Sequence, residues 1–137
     1  MTYDSRDYGT LLLRVSLGAM FLAHGLLLKV MTFGLAGTMG FFGSIGYPPV
    51  LGAVVAIAET AAGIALIAGF QVRLVSLATL PILVGALAVH LPNGWVFSAP
   101  NGGWEYPAFL IVLVIVQALI GEGAYALRWN AQRLAHA

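Results

Sequence analysis

Long apolar runs, separated by short polar or turn-forming stretches, dominate the chain. A transmembrane helix needs about 20 predominantly apolar residues to cross a hydrocarbon core of about 30 Å. Four runs meet or approach this length, at approximately residues 8–30, 50–70, 72–91 and 105–120. The pattern predicts an all-α fold: an integral membrane four-helix bundle that forms a single transmembrane domain.

The composition favours the same setting. Hydrophobic residues make up 61% of the 137 residues and charged residues 8%, and the mean hydropathy is +0.96. This composition leaves too little polar surface to cover a water-soluble globule. The lipid bilayer is therefore the predicted partner. The net charge of +1 gives no reason to expect a nucleic-acid partner. The absence of cysteine excludes disulfides, thiolate metal ligands and dithiol redox relays within this chain.

The basic residues predict the orientation in the membrane. With four spans both termini lie on one side, and that side holds Arg6, Arg14, Arg73, Arg128 and Arg133, against Lys29 alone on the other. The positive-inside rule therefore places both termini in the cytoplasm. Residues 31–49 and 89–107 are then loops on the outer face. The tail, residues 122–137, is expected to lie on the cytoplasmic surface as a short helix, with a disordered end as the alternative.

Glu59 is the most informative polar residue of the apolar runs. It shares a helix face with Ala56 and Gly63, and small residues of this kind let neighbouring helices approach closely in lipid. A rise of about 1.5 Å per residue places the carboxyl roughly 13 Å below the outer end of its helix. An unpaired ionised carboxylate there costs at least about 2.5 kcal/mol, so a partner is expected inside the bundle.

His24 is the favoured partner of Glu59. The same rise puts it about 9 Å below the outer end of the first helix, whereas Arg14 lies close to the inner face. A hydrogen bond between His24 and Glu59, shared with a proton or completed by Lys29, would satisfy both groups. The alternative is a buried polar contact that only fixes helix pairing.

A second set of polar and aromatic residues lies at the outer rim. His90 ends the third helix and Glu105 begins the fourth, so the short loop between them brings an imidazole and a carboxyl together. Trp95 and Trp104 flank this mouth and offer ring surfaces. The alternative is that all four are interfacial anchors.

Three kinds of chemistry use such residues. A divalent metal could take His24, Glu59, His90 and Glu105 as ligands, but they come from four segments without tight spacing. A haem between two histidines is disfavoured by their different depths. Neither a metal nor a haem is therefore expected. Proton exchange with a quinone needs a titrating group, an aromatic surface and a lateral opening, and this use fits best.

Several sequence motifs resemble one known family. They are LLLRVSLGAMFLAHG at 11–25, GTMGFFGSIGYPP at 37–49, AETAAGIALIAGFQVRL at 58–74, and HLPNGWVF with GGWEYP in the last loop. In this order they resemble the DoxX family of small bacterial inner-membrane proteins. The resemblance implies a four-helix membrane protein of the plasma membrane, associated with redox systems. Family members include the membrane subunit of a thiosulfate:quinone oxidoreductase and partners of stress-defence enzymes.

The resemblance also marks individual positions. Those that match the family pattern are Arg14, His24, Gly25 and Glu59, and less securely Lys29 and His90. The family usually shows His-Gly-x-x-Lys, whereas three leucines separate His24-Gly25 from Lys29 here. In an α-helix this extra residue turns the lysine by about 100°.

These observations predict a quinone-facing subunit of an oxidoreductase. His24 and Glu59 would exchange the protons, Arg14, Lys29, His90 and Glu105 would contribute to binding, and Trp95 or Trp104 would contact the ring. A partner redox subunit is expected, because a chain without cysteine cannot carry out thiol chemistry alone. The alternatives are a transporter or binding protein for a small solute or lipid, and a non-catalytic assembly scaffold. Small-residue helix faces also favour homo-oligomers.

Overall fold

The computed structural model describes residues 2–127, and helices account for most of them. Their bounds are α1 Ser5–Leu22, a π-helical segment Ala23–Thr32 that continues α1, α2 Gly34–Ser44, α3 Pro49–Ala68, α4 Val72–His90, a short 3₁₀ turn Leu91–Asn93, and α5 Glu105–Ile120. The described part contains no strand. The predicted all-α fold is confirmed.

Within residues 2–127, three helical stretches are long and apolar enough to cross a membrane, namely Ser5–Thr32, Pro49–Ala68 and Val72–Asn93. Glu105–Ile120 is a shorter apolar helix. The four apolar runs of the sequence fall on these four stretches. The protein is therefore a helical membrane protein.

The structure corrects the loop that was predicted between the first two apolar runs. Residues 31–49 were predicted to be a loop, but Gly34–Ser44 forms α2. A helix pairs its own backbone N–H and C=O groups, which an irregular loop does not. Gly34, with φ of 72°, turns the chain back on itself, and the Thr38 hydroxyl donates a hydrogen bond to Lys29 O at 2.9 Å. As a result α2 packs against the π-helical segment and the start of α3.

Glycines bring α1 and α3 into backbone contact. A Cβ added at Gly63 would lie 2.8 Å from both Gly18 O and Leu22 N, and one added at Gly25 would lie 2.7 Å from Thr60 N. Real Cβ atoms do not tolerate such distances. The small residues of the second apolar run thus serve close helix packing, as expected.

This contact predicts a large difference between two glycine substitutions. Gly63→Ala is expected to lower the free energy of unfolding by about 1–3 kcal/mol, because the added methyl group overpacks the contact between α1 and α3. Gly85→Ala is the matched control, since a Cβ there meets nothing within 4 Å, and it should raise stability by up to about 1 kcal/mol. Thermal unfolding in detergent measures both. Equal melting temperatures would contradict the close contact.

The two ends of the bundle are closed differently. The start of α1 and the turn between α3 and α4 lie at one end, here called the terminal end. The segment after α5 crosses this end, where Ala124 N donates to Asp7 O and Leu127 N donates to Ala68 O. The opposite end, called the loop end, carries α2 and the segment 91–104.

The tail was expected to form a surface helix over residues 122–137. Its described part, up to Leu127, is not helical and packs on the bundle. Residues 128–137, with Arg128 and Arg133, lie outside the described part of the chain.

Candidate functional site

An ion pair joins the π-helical segment to the middle of α3. Lys29 Nζ lies 2.7 Å from Glu59 Oε2, and the side chains are 18% and 8% exposed, respectively. It is the one ion pair that residues 2–127 form. Because both groups come from membrane-spanning stretches, each removes the cost of leaving the other charge unpaired in an apolar surrounding.

The predicted hydrogen bond between His24 and Glu59 is not formed. Within the described chain, Glu59 pairs with Lys29, and His24 Nδ1 lies 2.9 Å from Met20 O. The imidazole packs instead against Tyr106 of α5, with ring centroids 6.2 Å apart and an interplanar angle of 28°. His24 is therefore a neighbour of α5 and not the partner of the buried carboxylate.

The π-helical segment explains why Lys29 reaches Glu59. A π-helix closes its hydrogen bonds over five residues instead of four, so each turn holds an additional residue. Phe33 N donates to Leu28 O at 2.9 Å in this pattern. The Lys29 side chain also folds back along the helix, and its Nζ lies 3.4 Å from the backbone oxygen of His24. The wider turn accommodates the extra leucine and returns Lys29 to the helix face of His24, five residues before it.

Gly25 and Thr38 fix the surroundings of the pair. A Cβ added at Gly25 would lie 2.8 Å from Glu59 Cβ, so the π-helical segment touches α3 beside the carboxylate. Thr38 of α2, which is 3% exposed, bonds to the backbone oxygen of Lys29. Sequence reasoning missed Thr38, because α2 itself was not predicted. The unusual His-Gly-Leu-Leu-Leu-Lys spacing was the available signal for the π-helix.

The hydrogen bond of His24 fixes its neutral tautomer. A carbonyl oxygen can only accept, so Nδ1 donates to Met20 O and the neutral ring keeps the lone pair of Nε2. Tyr106 covers one face of the ring, and its hydroxyl group lies 3.3 Å from Met20 Sδ. His24 is thus held in one orientation with one nitrogen that can take a proton.

His90 and Glu105 hold the loop that connects α4 with α5. His90 Nδ1 lies 3.1 Å from the backbone oxygens of Asn101 and Gly102. Glu105 Oε1 accepts a hydrogen bond from Phe97 N at 2.8 Å. Both predicted binding residues therefore bond to the loop backbone, which gives each a structural role.

An open groove lies beside this loop. Phe97, Glu105, Tyr106 and Phe109 line a cavity of about 450 Å³. Tyr106 also packs against His24, so the groove and the imidazole share a wall. The two tryptophans predicted to contact a ring, Trp95 and Trp104, are both exposed, and neither lines this cavity.

Arg14 lies far from the pair, at the terminal end. It is 1% exposed, and its Nη2 donates to Ala124 O at 3.0 Å. Its side chain occupies the space that a Cβ at Gly69 would need. The structure therefore does not bring Arg14 together with Glu59. His24, Glu59, His90 and Glu105 likewise do not form part of any cluster of three or more potential metal ligands among residues 2–127.

Comparison with known proteins places the chain in a family. The DoxX family model matches residues 9–91, which is more than half of the chain and includes Lys29 and Glu59. The chain belongs to the DoxX family. The resemblance seen in the sequence is thereby confirmed, and the match ends before α5 and the aromatic groove.

A curated DoxX-type relative has a descriptive name. The protein of Bacillus subtilis (strain 168) named "Putative oxidoreductase CatD" is 37% identical over 125 residues, which cover 90% of this chain and 87% of that protein. No solved structure matches the chain significantly.

Proposed function

We propose that this DoxX family protein is the membrane subunit of an oxidoreductase, and that its buried Lys29–Glu59 pair exchanges protons with a membrane quinone. The observation that carries the proposal is the ion pair itself. Ionisable residues inside a membrane are costly and usually belong to a functional site. The oxidoreductase name of the Bacillus subtilis relative supports the reaction class.

Quinone reduction consumes two electrons and two protons. The electrons come from a partner redox subunit, because this chain contains no cysteine for a thiol relay. The Lys29–Glu59 pair holds one exchangeable proton between nitrogen and oxygen. His24 Nε2 is a second position at which a proton can be taken up and released. The pair therefore takes the place that His24 and Glu59 together had in the sequence-based hypothesis.

The aromatic groove supports the proposal of a quinone headgroup site at the loop end. Its volume of about 450 Å³ lies within the ~300–1,000 Å³ usual for small-molecule sites. Phe97, Tyr106 and Phe109 supply apolar ring surfaces at the loop end. Since Tyr106 packs against His24, a ring bound there would lie near the imidazole. The excess of arginine at the terminal end supports cytoplasmic termini in the bacterial inner membrane, with the groove on the outer side.

The proposal predicts the effect of neutralising Glu59. In membranes from a deletion strain that carries Glu59→Gln, the rate of quinone reduction is expected to be about 100-fold lower than with the wild-type chain. A loss of this size is typical when an acid–base group is removed. Asp4→Asn is the matched control, because it removes an exposed carboxylate and leaves a side chain that can still cap α1. Quinone reduction is followed optically, and quinone is extracted from the purified protein.

Two results would contradict a quinone role. They are an unchanged rate of membrane quinone reduction on deletion and a purified protein without co-extracted quinone. A solute-dependent rise in melting temperature that His24→Ala abolishes would point to a transporter or binding protein. A loss of stability in Glu59→Gln without any change of flux would point to a scaffold.

A further inference from the structure

The surroundings of the Lys29–Glu59 pair differ on its two sides along the membrane normal. Toward the terminal end, α1 and α3 are in backbone contact. A Cβ added at Gly18 would lie 2.9 Å from Gly63 O, which leaves no room for water between the two helices. This contact lies one helical turn below Glu59.

Buried apolar side chains of α1 and α3 lie beside this contact. Phe21 and Leu17 of α1 are 4% and 1% exposed, and Leu66 of α3 is fully buried. They form one hydrophobic cluster with Val72, Leu83 and Val114 from α4 and α5. A charged group or a water chain crossing this cluster would lose its hydrogen bonds, which is costly. Along α1 and α3, these apolar residues and the contact between Gly18 and Gly63 separate Glu59 from the buried Arg14 at the terminal end.

Toward the loop end, Lys29 is the neighbour of the carboxylate. Glu59 lies ten residues into α3, or about 15 Å below its start. Lys29 lies within one turn of the end of the π-helical segment at Thr32. Its side chain extends from there to Glu59, and it remains 18% exposed. Lys29 thus reaches the carboxylate from a backbone position nearer to the loop end.

We propose that the Lys29–Glu59 pair exchanges protons with the loop end alone, and that Lys29 is the relay. The inference deepens the proposed function, on which it rests, because it names the route by which the same pair is reprotonated. In the relay step, Lys29 Nζ passes one proton to Glu59 Oε2 along their hydrogen bond. An amine and a carboxylic acid result, both uncharged. When Glu59 has released its proton, the amine takes another from the loop end, which restores the ion pair.

The absence of cysteine makes this route directly testable. In single-cysteine variants of the full chain, a membrane-impermeant anionic thiosulfonate is applied to right-side-out and to inverted vesicles. Ser98→Cys marks the loop end and Ser5→Cys the terminal end, since both serines are exposed. Glu59→Cys reports on the site, where the remaining Lys29 cation attracts the reagent. The markers make the design independent of the absolute orientation.

The expected result is that Glu59→Cys is labelled from the side that labels Ser98→Cys, and not above background from the other. Labelling from the Ser5→Cys side, or none from either side of a folded variant, would overturn the inference. If Glu59→Cys fails to fold, Thr60→Cys, which keeps the ion pair, replaces it. Labelling requires no quinone. Labelling can therefore contradict the proton route while quinone reduction still depends on Glu59. Labelling can also support the route while quinone reduction does not depend on Glu59.

Discussion

Lys29→Met is expected to lower the free energy of unfolding by about 3–5 kcal/mol, because it leaves the Glu59 carboxylate buried without a partner. Glu59→Gln should cost less. The lysine that remains is 18% exposed and close to the loop end, so its long side chain can turn the ammonium group toward the polar headgroups. The two single substitutions thus lower the free energy of unfolding by different amounts, although they break the same contact.

Thermal and denaturant unfolding of the purified protein in detergent measure these losses. Arg6→Met is the matched control, since it removes an exposed cation from the same helix and should change stability little. If Lys29→Met were as stable as Arg6→Met, the ion pair would contribute nothing to the fold.

Deleting one leucine from the π-helical segment is expected to leave the protein folded. Without Leu27, the segment can form an ordinary α-helix that has the usual family spacing between His24-Gly25 and the lysine. The pair with Glu59 is then retained. Deleting Ile64 from α3 should abolish folding, because α3 is regular and every following residue turns by about 100°. Leu66 and Gly69 would then leave the contact with α1.

The two deletions are closely matched. Both remove one exposed apolar residue from a membrane-spanning helix, with exposures of 54% for Leu27 and 58% for Ile64. Size-exclusion elution and melting temperature in detergent distinguish the outcomes. A Leu27 deletion that aggregates like the Ile64 deletion would show that the π-helix does not serve to absorb an extra residue.

The spans were predictable because the bilayer imposes their length and composition. A run of about 20 apolar residues has few alternatives to a helix in lipid. The inward position of Glu59 followed from its helical spacing with Ala56 and Gly63. All three residues are buried or nearly so in the structure.

The partner of Glu59 was not predictable by counting along an ideal α-helix. Each residue was assigned a rotation of about 100° and a rise of about 1.5 Å. This rotation turned Lys29 away from the face of His24, and this rise brought His24 to the level of the Glu59 carboxylate. The π-helix changes both quantities locally. An extra residue between two polar positions of one helix face is the sequence signal that could have indicated it.

The hydrogen bonds of the two predicted rim residues could not be predicted from the sequence. His90 and Glu105 were assigned to an outer mouth. The loop between them is rich in glycine and proline and is not helical, so many of its backbone groups need other hydrogen-bond partners. His90 and Glu105 bond to these groups. Side-chain bonds to irregular backbone depend on the loop conformation, which hydrophobic patterning does not specify.

The helix α2 was missed because glycine is a weak helix former in water, whereas it is common in membrane helices.

The double variant Lys29→Met/Glu59→Gln tests the pairing of these two side chains most directly. Its free energy of unfolding is measured beside those of the two single variants and the wild-type chain. If the side chains form a buried ion pair, the double variant is more stable than Lys29→Met, because the unpaired carboxylate is gone. If the losses of the single variants simply add, Lys29 and Glu59 are not partners.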